Sequence, residues 1–167
     1  MPWSFGSSSS KKQKKVVTTT FSGPKSAGNG NDGDSKLPVN LNNDVNVLVV
    51  EDNRVNRKVL MRMLSWAGVR TQEVVNGKEA VDLHTAGFHF DLIFIDMEMP
   101  VMDGPQATRI LRSMGVCTRI VGVSGNCRDS DRSEFLTAGI DEFYVKPLSR
   151  EKLVEILHQV DDDISNN

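Results

Sequence analysis

The residue types in this chain best suited to chemistry stand at the ends of four apolar runs. Leu92-Ile93-Phe94-Ile95 ends in Asp96, and Val47-Leu48-Val49-Val50 ends in Glu51-Asp52. Ile120-Val121-Gly122-Val123 ends in Ser124, and Phe143-Tyr144-Val145 ends in Lys146-Pro147. A short continuous apolar run bounded by turn residues reads as a strand buried on both faces. Open α/β sheets place their reactive groups at the carboxyl ends of such strands. A lone acid there is most simply a strand cap. Three acids, a hydroxyl and a lysine on four strand ends form a constellation.

Three crowded carboxylates repel one another unless a cation joins them. A hard divalent ion answers that need, and Mg2+ (or Mn2+) is the expected cofactor; magnesium takes one or two carboxylates together with waters and phosphate oxygens. Glu51 and Asp52 are adjacent, so one can hold the ion directly and the other through water. Lys146 adds a positive point charge and Ser124 a hydroxyl donor. With the ion they would hold the oxygens of a transferring phosphoryl group, where catalysis is mostly positioning and charge stabilisation. Asp96 is then the nucleophile, aspartyl phosphate being a known covalent intermediate of such chemistry.

The elements that must position these groups are legible from Asn46 onward. Strands are expected over Val47–Val50, Val69–Val75, the run ending at Asp96, Ile120–Val123 and Ile140–Val145. Between them lie helical patterns. Asn53 caps a helix whose apolar face is Val55, Val59, Leu60, Met63 and Leu64, with Gly68 as its stop. Asn76-Gly77 opens a second through Ala80, Val81, Leu83 and His84, ending at Gly87. Ala107, Ile110, Leu111 and Met114 mark a third, closed by Gly115. Asp131 and Glu134 in capping-box spacing open a short polar fourth that stops at Gly139. Ser149 caps a fifth with Leu153, Ile156, Leu157 and Val160 inward. Five βα units with short connections predict a flavodoxin-like fold, a doubly wound five-stranded parallel sheet with helices on both faces. Right-handed crossovers and the order 2-1-3-4-5 put the first and third strands side by side, gathering Glu51, Asp52 and Asp96.

Composition narrows the function. The 167 residues suffice for one domain and a tail, and the net charge of -2 hides an asymmetry. Residues 1–43 hold six lysines and two acids; the rest holds 14 basic and 20 acidic residues. An acidic globular part is a poor binder of phosphate backbones, so no nucleic-acid partner is expected. No apolar run approaches the roughly 20 residues needed to span a bilayer, so no membrane partner is expected either. Residues 1–43 read as a disordered basic Ser/Lys/Gly/Asn-rich tail, 44–161 as the folded domain, and 162–167 as a short C-terminal tail. Lys11-Lys12-Gln13-Lys14-Lys15 reads as a solvated charge run, with a nuclear import signal as the alternative. Cys117 and Cys127 are too few for a disulfide framework and lack metal-ligand spacing, which fits a reduced compartment, cytoplasmic or nuclear. His84, His89 and His158 have no ligand partner at useful spacing and read as structural or solvated.

Residues 46–160 resemble a two-component response-regulator receiver domain. The family's acidic pair corresponds to Glu51-Asp52, and its phosphoacceptor to Asp96 in Asp96-Met97-Glu98-Met99-Pro100-Val101-Met102-Asp103-Gly104. Its hydroxyl residue matches Ser124, its lysine Lys146 before Pro147, and its switch aromatic Phe143. Asn76-Gly77-Lys78-Glu79-Ala80 resembles the family's turn into the second helix. Glu51 stands where aspartate is commoner, and Ser124 replaces threonine. The resemblance implies metal ligation by Glu51, Asp52, Asp96 and the backbone carbonyl of Glu98, phosphate binding by Ser124 and Lys146, and a cis Lys146–Pro147 bond. It also implies a switch in which Ser124 moves toward the phosphoryl group and Phe143 turns into the space left. Within the family, Met114-Gly115-Val116, Ile120–Ser124 and Phe135–Gly139 are similar to plant type-C response regulators and to receivers of plant hybrid kinases.

The expected function is a stand-alone response regulator that accepts a phosphoryl group on Asp96 from a histidine-containing phosphotransfer protein, in a His-to-Asp relay of the cytokinin-signalling type. It would act as a relay sink or partner-binding switch, a monomer or weak dimer without DNA-binding output. Its enzyme-like activities would be self-catalysed phosphotransfer and autodephosphorylation at Asp96, with phosphohistidine phosphatase action on the phosphotransfer protein as a further one. Glu98 and Asn126, each two residues beyond a site residue, would border the path of the attacking water and tune the lifetime of the phosphoryl group. The alternatives are a receiver segment of a hybrid histidine kinase and a phosphorylation-independent interaction module.

Overall fold

The computed structural model describes residues 39–125 and 128–166. The tail up to residue 38, including Lys11–Lys15, and both Asn126 and Cys127 lie outside the described residues. Among the described residues five strands alternate with five helices: β1 (Asn46–Val50), α1 (Arg54–Trp66), β2 (Arg70–Val74), α2 (Gly77–Thr85), β3 (Leu92–Asp96), α3 (Gly104–Ser113), β4 (Arg119–Ser124), α4 (Asp129–Ala138), β5 (Glu142–Val145) and α5 (Arg150–Ser165). The sheet is parallel in the order 2-1-3-4-5, as expected. Val47 through Val50 and every residue of β3 are buried, the pattern of strands covered on both faces. One core cluster joins Val47, Val49 and Phe94 to Leu64 of α1 and to Leu153, Ile156, Leu157 and Val160 of α5. The other joins Leu48, Ile93 and Ile95 to Ala80, Leu83, Ala107, Leu111 and Phe135 from α2, α3 and α4. Alternate side chains of the same strands point to opposite layers, so one apolar run feeds both clusters.

Local chemistry sets most helix ends where the sequence placed them. Asn53 accepts from the backbone N–H groups of Val55 and Asn56. Asn76 accepts from the Glu79 N–H at 2.9 Å while Glu79 accepts from the Val75 N–H at 3.1 Å, a reciprocal cap that differs from a capping box in reaching the residue before the N-cap. Ser149 accepts from Lys152 at 3.2 Å. Gly68, Gly87, Gly115 and Gly139 follow four helices with positive φ.

Three expectations fail. The capping box at Asp131 does not form: α4 starts at Asp129, two residues earlier, with Arg128 as its N-cap and no side-chain cap bond. Val55 and Val59 do not face the core, being 69% and 50% exposed, and Met114 is 42% exposed. Helical periodicity gives the face but not where the sheet beneath it ends, and α1 begins at the sheet's carboxyl edge. The fifth strand opens at Glu142 rather than Ile140: the Ile140 N–H turns back to the Phe135 carbonyl at the end of α4.

The folded part also reaches beyond residues 44 and 161. Asp161 is 1% exposed, and its carboxylate accepts from the backbone and side-chain N–H groups of both Asn42 and Asn43 at 2.8–3.0 Å. Val39 and Leu41 pack on the α1–α5 core, and α5 continues to Ser165. Among the described residues no helix is long and apolar enough to cross a membrane.

Candidate active site

Adjacency of β1 and β3 brings the acids together. Val50 pairs with Ile95, so the residues that follow, Glu51-Asp52 and Asp96, emerge side by side at the carboxyl edge. Carboxylate oxygens of Glu51, Asp52 and Asp96 lie within 4.8 Å of one another. Lys146 leaves the end of β5 and crosses to them: its Nζ is 2.6 Å from Glu51 Oε2 and 2.9 Å from Asp96 Oδ2. The other Asp96 oxygen accepts the Met97 N–H at 2.8 Å. The Lys146–Pro147 peptide is cis. Asp52 is exposed, whereas Glu51 and Asp96 are buried.

The electrostatics follow from that burial. Desolvation pushes the Asp96 carboxyl up to about 6 and the charge of Glu51 adds to the rise, while the Lys146 hydrogen bond pulls it back. The group is therefore mostly ionised at neutral pH. Burial works against the charge of Lys146, but its bonds to Glu51 and Asp96 outweigh this and hold the ammonium above its ordinary range. One lysine against three acids leaves net negative charge at the mouth. The all-oxygen donor set fits a hard divalent cation, which accepts carboxylates directly or through water. A cavity of about 370 Å³ opens there, lined by Glu51, Asp96 and Lys146 at its polar end and by Leu60, Met63 and Phe94 inside.

Ser124 ends β4, next to β3, and is 3% exposed. Phe143 lies on β5 opposite Gly122 and meets Phe135 edge-on, with ring centroids 6.3 Å apart. Glu98 is exposed on the loop after Asp96 and is not part of the carboxylate cluster; Asn126 is outside the described residues.

Three participants escaped the sequence reading. Arg57 donates from Nη1 to the backbone carbonyls of Glu51 at 2.8 Å and Asp52 at 3.1 Å. Its sequence signal is that the charged residues opening α1, Arg54, Arg57 and Lys58, are all basic where the helix dipole favours acids. Gly104 lets the loop fold back on the site: a Cβ there would overlap the backbone oxygen of Asp96 and stand 2.6 Å from Phe135 Cζ. Val101, on the same loop, has φ +72° and is 81% exposed.

A doubly wound sheet of this order, with an acid cluster and a lysine at its switch point, defines the class: a flavodoxin-like α/β domain of the receiver type. The family description "Response regulator receiver domain" matches residues 47–158, and the chain belongs to that family. It is 41% identical over 125 residues to Two-component response regulator 24 of Arabidopsis thaliana, covering 75% of this chain and 90% of that protein. It is 47% identical over 116 residues to Two-component response regulator ORR41 of Oryza sativa subsp. japonica, covering 68% of this chain and 91% of that one. Among solved structures it matches the receiver domain of sensor histidine kinase PA1611 from Pseudomonas aeruginosa PAO1, with a TM-score of 0.66 and 34% identity over 72% of this chain and 99% of that one. That crystal structure has a magnesium ion coordinated in the active site cleft.

Proposed function

We propose that this protein takes a phosphoryl group from the phosphohistidine of a histidine-containing phosphotransfer protein onto Asp96, in a relay of the plant cytokinin type. The observation that carries the reading is the buried Asp96 carboxylate at the end of β3, held on one oxygen by Lys146 at 2.9 Å. An Asp96 oxygen attacks phosphorus, the P–N bond breaks, and the electron pair returns to the imidazole nitrogen, which takes up a proton. Glu51, Asp52 and Asp96 would hold a divalent ion, which supplies charge neutralisation of the phosphoryl oxygens. Lys146 transfers its hydrogen bond from Asp96 to a phosphoryl oxygen, and Ser124 donates to another. As Ser124 moves, Phe143 turns inward, altering the face of α4, β5 and α5.

The surroundings suit a protein donor. Val55, Val59 and Val101 are exposed apolar residues, Val59 lining the cavity of the site, and Arg54, Lys58 and Arg62 are exposed along α1. The two plant relatives are themselves almost wholly spanned by the matched segment, which supports output through partner binding or phosphoryl drainage rather than through a large effector domain.

The test is transfer of label from a phosphorylated phosphotransfer protein in magnesium. The parent protein gains label within minutes and Asp96→Asn gains none, because an amide neither attacks phosphorus nor carries charge to a metal. Label retained by the folded Asn variant would overturn the assignment.

A further inference from the structure

We infer that Arg57 is a positioning residue that sets the divalent-cation affinity of the acidic site by clamping the backbone of Glu51 and Asp52 to the edge of the sheet. The inference rests on the cation-site reading of the three carboxylates. Arg57 sits one turn into α1 with its side chain 14% exposed. Its Nη1 spans two consecutive carbonyls, Glu51 at 2.8 Å and Asp52 at 3.1 Å. Its Nε faces Glu73 Oε2 at 3.3 Å, and Glu73 lies on edge strand β2, paired with Val49. The guanidinium thus bonds the helix to the turn carrying the acids, while toward the outermost strand it makes a charge contact with Glu73 and no hydrogen bond from Nε.

Two further bonds converge on that turn. The Glu51 N–H donates to the Val74 carbonyl at 3.1 Å, and the Asn53 N–H donates to Glu51 Oε1 at 3.1 Å. In the Asp52–Asn53 peptide the N–H is thus held by Glu51 Oε1 and the carbonyl by Arg57, so the guanidinium supplies one of the two bonds that order the unit from which the most exposed acid projects. A bound ion loses less entropy of its ligands when those ligands are already placed, and groups behind a metal's direct ligands commonly tune affinity in this way. The choice of residue has a cost that supports a specific use. A cation near a helix N-terminus is opposed by the helix dipole, and a cation beside a metal site repels the metal. Arginine tolerates both because its fork satisfies several acceptors at once; a lysine in its place is a single point donor.

Charge and position make opposite predictions, which makes the proposal testable. Removing a cation from beside the site should tighten Mn2+ binding if Arg57 acts through charge, and loosen it if Arg57 holds the ligands. The experiment measures Mn2+ binding to the unphosphorylated full chain by electron paramagnetic resonance, with no phosphodonor present. Arg57→Ala should weaken binding on the order of tenfold, and Arg57→Lys roughly fivefold, the worth of one lost hydrogen bond. Arg70→Ala, which removes an exposed arginine paired with Asp44, should bind as the parent does. With a small-molecule phosphodonor, half-saturating magnesium should rise for the Arg57 variants while the rate at saturating magnesium stays within about twofold, since position and not chemistry is lost. If Arg57→Ala does not fold by circular dichroism, Arg57→Lys carries the test. Affinity unchanged or tightened in the Arg57 variants, or an equal loss in Arg70→Ala, overturns the clamp. A parent that binds no Mn2+ overturns the cation-site reading instead.

Discussion

Val101 offers a perturbation in which stability and function should move in opposite directions. Its φ of +72° places a β-branched residue in the left-handed region, where its Cβ crowds the backbone. An L-residue with a Cβ loses about 1–2 kcal/mol there. Little is returned by packing, because the residue is 81% exposed and keeps only a small part of the roughly 2 kcal/mol that a fully buried valine contributes. Asparagine tolerates this conformation, so Val101→Asn should stabilise the domain by about 1 kcal/mol. Glycine relieves the same strain but costs about 0.4–1 kcal/mol through the freedom of its unfolded chain, so Val101→Gly should gain less. For a domain of this size 1 kcal/mol corresponds to roughly 4 °C in Tm. Thermal unfolding followed by circular dichroism reads this directly. If Val101 persists because a protein donor presses on it, Val101→Asn should also slow phosphotransfer from that donor several-fold, a contact of about 1 kcal/mol. Phosphorylation by a small-molecule donor should be unaffected. A Tm unchanged or lowered in the Asn variant refutes the strain argument. A stabilised variant with normal transfer from the protein donor refutes the contact.

Other perturbations separate the neighbouring groups. Asp52→Ala should weaken Mn2+ binding by more than the roughly tenfold typical of losing an outer contact, and more than Glu51→Ala, because Asp52 is exposed at the mouth while Glu51 is held by Lys146 and the Asn53 N–H; equal losses would show that both acids ligate alike. Gly104→Ala should cost about 1–3 kcal/mol through overpacking against Asp96 and Phe135, and urea midpoints equal to the parent's would contradict the close approach. Donation from the backbone N–H of Asn42, with the side-chain and backbone groups of Asn43, holds the Asp161 carboxyl below its ordinary range. The stability this contributes is complete above the unfolded value near 3.8 and is lost as pH falls through the lower folded value. Asp161→Asn should therefore be less stable than the parent at pH 7, with the gap closing in acid; a gap constant from pH 7 to pH 2 would refute the linkage.

What the sequence determined alone was most of what local rules carry, the cap of α4 being the exception. Four apolar runs ending in acid, hydroxyl or lysine mark strands; β1, β3 and β4 are buried on both faces and need no alternation, whereas β5 is a half-buried edge strand. Asn53, Asn76 and Ser149 mark helix starts, because each can accept a bond from a backbone N–H one turn ahead. The fold order and the acid cluster follow once right-handed crossovers limit how five βα units pack. Tertiary structure decided what depends on neighbours distant in the chain. Val55 and Val59 have the helical spacing of a core face, yet they overhang the sheet edge and stay exposed. Arg57 reads as a solvated cation until the fold brings Glu73 and two carbonyls to it. Asp161 reads as one of three acids in a terminal run, yet the fold seats it against Asn42 and Asn43, about 120 positions earlier in sequence. Spacing along a chain encodes which face a residue takes; only the packed neighbours decide whether that face meets core, solvent or charge.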